Sequence, residues 1–473
     1  MRYIRRRFFT KALCACIFLA ALSTHCGAID QAQPNIVFIF TDDQGQWAAG
    51  PYGNSEIHTP VMDRLAREGM LFTHATTKPV CSPSRAMLLT GQYSHRVGVN
   101  DFIQKDYNDG LSPNAPTLGE TLQRAGYTTA LVGKWHLGQQ DKHFPTHYGF
   151  DHFMGFNDGG ITPLDPTLFV DGTPTLMKGY TDDLLTDDAL EFIRRNQAEP
   201  FALFLFTRAP HIRYAPAPEE DMAHYTDKTF TVEGAEFVAM EKLQQKYREY
   251  YTAVTQVDRN VGRLLTELET LGLDENTIVV FTSDNGYNIG HHGGLEGKGN
   301  GSQIDKPLRR PNMWDTSVLV PSIIRWPGVI QPGSVRDELV SSLDFYPTFV
   351  DFLGIQNTEQ YELDGESLLP LLRGEENVAW RDAIFGVYDM QAYPRYNGSE
   401  DSMRMMRTRD WKLVLHLKHP ESHELYNLQD DPGELANLFG QPTVHAVQNQ
   451  LTQRLQTWMR DNDAEVIRQF REP

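Results

Sequence analysis

Cysteine is almost missing from this chain of 473 residues. Of its four cysteines, Cys14, Cys16 and Cys26 fall in the first 26 residues, so only Cys81 remains beyond them. One thiol cannot form an internal disulfide, which excludes a disulfide scaffold. Positive charge is scarce too. Lys and Arg number 43 against 62 Asp and Glu, a net charge of -19. That balance argues against a nucleic-acid partner, and any anionic ligand must be met by a local basic pocket. After the first residues no apolar run approaches membrane-spanning length. Internal repeats and low-complexity segments are also lacking, which excludes solenoid and linker architectures.

What the chain does have begins with an export-type leader. Arg2, Arg5, Arg6, Arg7 and Lys11 precede an apolar stretch at residues 12–22 that is too short to span a bilayer. Cys26-Gly27-Ala28 offers small residues for cleavage, and residues 5–9 (RRRFF) resemble a twin-arginine signal. Residues 1–28 are therefore read as a signal, and the protein as exported, periplasmic or secreted. His25 fits a lipobox poorly, so lipid anchoring at Cys26 is disfavoured. An exported protein normally avoids a free thiol, so the retained Cys81 points to chemistry and not to packing.

Four runs read as strands buried in a parallel sheet: residues 35–40, continuously apolar and β-branched, then 127–132, 201–206 and 277–281. Each ends in a polar cluster: Asp42-Asp43, Lys134 with His136, His211, and Asp284-Asn285. In an open α/β sheet such ends converge on one rim, where ligands bind. Paired carboxylates and an amide suit a hard divalent cation. Between these strands, residues 81–91 (CSPSRAMLLTG) predict a helix with Ser82 as cap, Pro83 at the first position and Gly91 as a left-handed stop. Cys81 then sits at the positive end of the helix dipole, with Arg85 one turn on. From about residue 379 short alternating runs predict a small antiparallel sheet, closed by a helix near residues 444–462. The histidine-bearing loops at 143–156 and 289–305 are candidates to line the site. Arg208, Arg213, Arg309 and Arg310 read as solvated surface cations, the alternative being contact with a uronate carboxylate or a second sulfate.

The pattern Cys81-Ser82-Pro83-Ser84-Arg85, continuing to Leu89-Thr90-Gly91, resembles the signature of the formylglycine-dependent sulfatases of the alkaline phosphatase superfamily. Residues 35–43, 133–138, 283–286, 320–328 and 425–437 also resemble family blocks, in family order. The resemblance implies an alkaline-phosphatase-like α/β fold: a catalytic domain at 34–375 with a large mostly parallel sheet, and a C-terminal α+β subdomain at 376–473. It implies that Cys81 is oxidised to formylglycine by a formylglycine-generating enzyme. It also implies one Ca²⁺ held by Asp42, Asp43, Asp284 and Asn285, with the hydroxyl at position 81 bridging ion and substrate. Arg85 would steady that group, Lys134 and Lys298 would bind sulfate oxygens, His211 would bond the sulfate or protonate the leaving alcohol, and His136 would act as base. Lys298 is preferred over Lys306 as the second lysine because Gly297 and Gly299 let its loop approach an anion. Where the family often has an acidic pair before the Val-Pro strand, this chain has Trp314-Asp315. The expected activity is sulfate-ester hydrolysis on a sulfated carbohydrate. The alternatives are a phosphonate or phosphodiester hydrolase of the same superfamily, or an unmodified carbohydrate-binding protein.

Overall fold

The computed structural model describes residues 33–104, 109–231, 240–293, 296–297, 312–355, 362–390 and 401–462. Its centre is a ten-stranded sheet. From edge to edge the strands are Ser334–Ser341, Met70–Thr76, Ser322–Arg325, Thr277–Ser283, Asn35–Thr41, Phe201–Phe206, Thr128–Lys134, His152–Phe156, Thr167–Val170 and Thr173–Leu176. All run one way except Ser322–Arg325 and Thr167–Val170, which are antiparallel to their neighbours.

The continuous apolar runs follow from burial on both faces. Along Asn35–Thr41 every residue is buried. Val37 and Ile39 pack one way, with the helices Thr181–Asn196 and Met240–Thr270. Ile36, Phe38 and Phe40 pack the other way, with the helices Cys81–Thr90, Leu118–Arg124 and Phe345–Phe352. The period-two alternation thus makes a three-layer α/β/α sandwich. A second sheet of four antiparallel strands, Ile384–Met390, Asp401–Arg407, Trp411–His416 and Glu424–Asn427, is closed by the helix His445–Asn462. Buried ion pairs lock it to the large unit: Asp315 accepts from Arg407 Nη2 at 2.7 Å and from Lys412 Nζ at 2.5 Å.

Several elements differ from the sequence reading. The segment 143–156, expected as loop, ends in the sheet strand His152–Phe156, and the strands Met70–Thr76 and Ser334–Ser341 have no counterpart in that reading. The edge strand Ser334–Ser341 alternates exposed and half-buried residues, Arg336 and Glu338 among them, because only one neighbour covers it. Helix Cys81–Thr90 begins at Cys81 itself, with extended Val80 as its cap. Ser82 is not the cap, because its Oγ is engaged by the backbone N–H of Ile103 at 3.0 Å. Gly91 does stop the helix, at φ 65°.

Candidate active site

The carboxyl ends of the central strands carry the polar clusters to one rim. Asp42 and Asp43 follow Asn35–Thr41, and Asp284 and Asn285 follow Thr277–Ser283. The adjacent ends are stitched together, since Asp284 N donates to Thr41 O at 2.9 Å and Asp42 N to Ala209 O at 3.4 Å. Lys134 closes Thr128–Lys134, and His136 stands just beyond it in left-handed backbone, at φ 55°.

Cys81 meets His136 across this rim. His136 Nδ1 lies 3.2 Å from Cys81 Sγ, while its Nε2 lies 2.9 Å from Ile103 O. A carbonyl only accepts, so Nε2 carries the proton and Nδ1 presents a lone pair to position 81. Burial pushes the His136 pKa well below its ordinary value, and the nearby Lys134 and Arg85 cations add to this. The ring is therefore neutral at pH 7, the state a proton acceptor requires.

Beneath them lies a buried acidic cage. Asp42, Asp43, Asp284 and Asn285 are each at most 2% exposed. Arg85 donates from Nε at 3.1 Å and Nη2 at 2.8 Å to Asp284 Oδ2, and from Nη1 at 2.7 Å to Lys134 O. Its guanidinium lies over both the Phe40 and Phe206 rings, 5.5 and 5.4 Å from their centroids. Lys134 Nζ sits 2.7 Å from Asp42 Oδ2. Asn285 Nδ2 donates to Asp43 Oδ1 at 2.6 Å, and Asp43 N to Asp284 Oδ1 at 3.1 Å.

Three carboxylates here face two cations, and buried Asp42 Oδ1 has no hydrogen-bond partner. Burial pushes the Asp42 pKa well up; Asp284 and Asp43 add to the rise, and Lys134 and Arg85 oppose it. An uncompensated set of buried oxygen donors fits a hard divalent cation such as Ca²⁺. Asp42, Asp43 and His211 also bring one donor atom each within 4.8 Å of one another. His211 Nε2 is 4.0 Å from Asp43 Oδ2, and its Nδ1 faces Ile212 O at 2.5 Å.

Other candidates are not in the cage. His143 bonds to the Tyr148 hydroxyl at 3.1 Å, and His152 bridges Asp188 and Asp171. His291 and His292 pack on Trp47 and Trp314, and burial lowers their pKa values to about 3 and about 4. Asp315 belongs to the joint with the small sheet, not to the cage. Lys298, Lys306, Arg309 and Arg310 lie outside the described residues. Arg213 is exposed, as read, but Arg208 is not a surface cation. It is 0% exposed and paired with Asp182, and its Nη1 donates to His211 O and Arg213 O at 3.1 and 2.8 Å.

A sequence model of the sulfatase family matches residues 34–355, and one for the C-terminal part of N-sulphoglucosamine sulphohydrolase matches 305–461. An N-acetylglucosamine-6-O-sulfatase of Bacteroides thetaiotaomicron is 31% identical, over 94% of this chain and 91% of its own. The chain belongs to the sulfatase family. The sulfatase is also 30% identical to the steryl-sulfatase of Rattus norvegicus, over 78% of this chain and 75% of the relative. A solved protein in complex with its substrate D-glucosamine-2-N,6-O-disulfate superposes with TM-score 0.78 and 30% identity. That match covers 91% of this chain and 99% of the other.

Sequence reasoning misses the residues that hold the sulfatase's site from behind. Arg208 anchors the His211 loop, and Ile103 O sets the His136 tautomer. For Arg208 there is a signal, its place right after a doubly buried strand. For Ile103 there is none, because a backbone carbonyl is available at every residue.

Proposed function

We propose that this sulfatase is exported and removes sulfate from a sulfated carbohydrate, using Cys81 matured to formylglycine and one Ca²⁺. The carrying observation is the neutral His136 with its acceptor nitrogen 3.2 Å from Cys81 Sγ, at the start of a helix and above a carboxylate cage. Asp42, Asp43, Asp284 and Asn285 would hold the ion. The ion and the matured residue together would supply positive charge for the sulfate oxygens and a hydroxyl at position 81.

The chain's own groups do the rest. Arg85 ties Asp284 to the Lys134 carbonyl and keeps the floor of the site rigid. Lys134 and Lys298 meet sulfate oxygens, which gather charge as the S–O bond lengthens. His211 gives a proton to the leaving alcohol oxygen, and His136 takes one at Nδ1 from position 81. The net change is addition of water across one S–O bond, giving alcohol and sulfate. The named groups fall in the proposed catalytic domain, 34–375, and the described residues of the proposed subdomain, 376–473, carry the four-stranded sheet.

Two of the relatives above concern sulfated amino sugars, which supports a carbohydrate over the steroid of a third. The basic, short apolar leader supports export and maturation by a formylglycine-generating enzyme, and no described helix is long and apolar enough to cross a membrane. The test is sulfate release from defined sulfated mono- and oligosaccharides, beside an aryl sulfate and an aryl phosphodiester. Higher kcat/KM on the diester than on every sulfate would overturn the proposal.

A further inference from the structure

Asn157 stands directly after the strand His152–Phe156, on the rim where the site is built. It is 4% exposed, yet neither Oδ1 nor Nδ2 has a hydrogen-bond partner. Buried Gln44 and half-buried Asn100 and Gln104 each leave one amide atom unmatched; Asn157 leaves both. Burying an unmatched amide is unfavourable, so such a group in a native fold calls for a partner that arrives later.

The loop that follows fixes where that partner would be. A β-carbon on Gly159 would lie 2.9 Å from His136 Cε1, and one on Gly160 would lie 3.1 Å from His211 Cε1. The backbone therefore passes against both histidines, and a side chain at Gly159 would displace the His136 ring. Asp158 pins the loop by accepting from Gln139 Nε2 at 2.6 Å. Along the strand, Phe153 packs on the face shared with helix Cys81–Thr90, while Met154 and Phe156 pack on the other. Alternation continued by one residue puts Asn157 on the Cys81 side.

We infer that Asn157 is a specificity residue that binds the alcohol part of the substrate. Sulfate oxygens only accept hydrogen bonds, so they would match Nδ2 and leave Oδ1 bare. A carbohydrate hydroxyl, or a pair on neighbouring carbons, both donates and accepts and matches the whole amide. An aryl or steryl sulfate has no such hydroxyl beside its ester. This inference rests on the carbohydrate reading and names the residue that enforces it.

The test compares wild type, Asn157→Ala and Asn157→Leu on a sulfated hexosamine and on an aryl sulfate, together with thermal unfolding of each protein without substrate. With Asn157 reading hydroxyls, kcat/KM on the sugar falls about 10- to 100-fold in both variants, as for loss of buried hydrogen bonds. On the aryl sulfate it stays within about threefold, and Asn157→Leu unfolds at the same or a higher temperature, because an unmatched amide has gone. Equal losses on both substrates, or a lower unfolding temperature in both variants, would make Asn157 a structural residue and overturn the inference. Wild type inactive on every sulfated sugar but active on the aryl sulfate would instead remove the carbohydrate reading itself.

Discussion

Replacing Asp284 by asparagine exchanges one carboxylate oxygen for an amide nitrogen and should disable the cage. In the native site Oδ2 accepts two N–H groups of Arg85, and Oδ1 accepts Asp43 N–H. An amide has one acceptor end and one donor end. Whichever way the new amide turns, its NH₂ meets either the guanidinium or the Asp43 N–H, donor against donor. Arg85 then loses its closest counter-charge and keeps only Asp42 Oδ1 at 3.9 Å; removing one partner of a buried pair typically costs about 3–5 kcal/mol. The cation site also loses a formal negative charge. Calcium should therefore bind at least about 100-fold more weakly, since about 2.7 kcal/mol corresponds to that factor. The assay is thermal unfolding of wild type and Asp284→Asn across a Ca²⁺ titration, with bound metal measured after dialysis. Wild type should gain stability as RT ln(1 + [Ca²⁺]/Kd), and the variant should show no rise over the same range. An unchanged Ca²⁺ midpoint in the variant would refute the placement of the ion.

Three further outcomes follow from the same geometry. Lys134→Ala and Lys298→Ala should each lower kcat/KM about 100-fold or more, as for loss of a transition-state charge stabiliser, whereas Lys306→Ala should have little effect; steady-state sulfate release measures all three. Arg208→Lys should release the His211 loop, so kcat should drop about tenfold or more for sugar sulfates but much less for an aryl sulfate with a good leaving group. In the small sheet, burial opposes charge on His416, but its bonds to Asp401 and Glu424 prevail and hold its pKa up at about 9. Its stabilisation, at most about 3 kcal/mol, is full below pH 6.5 and is lost as pH rises through about 9; denaturant midpoints for His416→Gln should lack that slope.

The centre of the fold is readable in the sequence and its edges less so. Strands such as Phe201–Phe206 are buried on both faces, so their apolar runs leave one interpretation. Edge strand Ser334–Ser341 hides in polar residues, and the reversed direction of Ser322–Arg325 has no local signature, because direction is set by the connections. In the site, Asp42, Asp43, Lys134, His136, His211, Asp284 and Asn285 announce themselves as polar groups ending apolar strands, and the structure brings them together with Cys81 and Arg85. The helix start is misread because Ser82 followed by Pro83 is a good cap and first helical residue in isolation, but Ile103 competes for the Ser82 hydroxyl. Arg208 is misread because arginine is usually solvated, and its buried partner Asp182 is distant in sequence.

The most direct test of the mechanism is the chemical state of residue 81 in active enzyme. Protein made in a host with the formylglycine-generating enzyme should yield a Cys81 peptide whose mass shows the thiol sulfur replaced by an aldehyde oxygen. Sulfate release per mole of protein should scale with the modified fraction and vanish in Cys81→Ala. Full turnover from protein whose peptide carries only unmodified Cys81 would contradict the account.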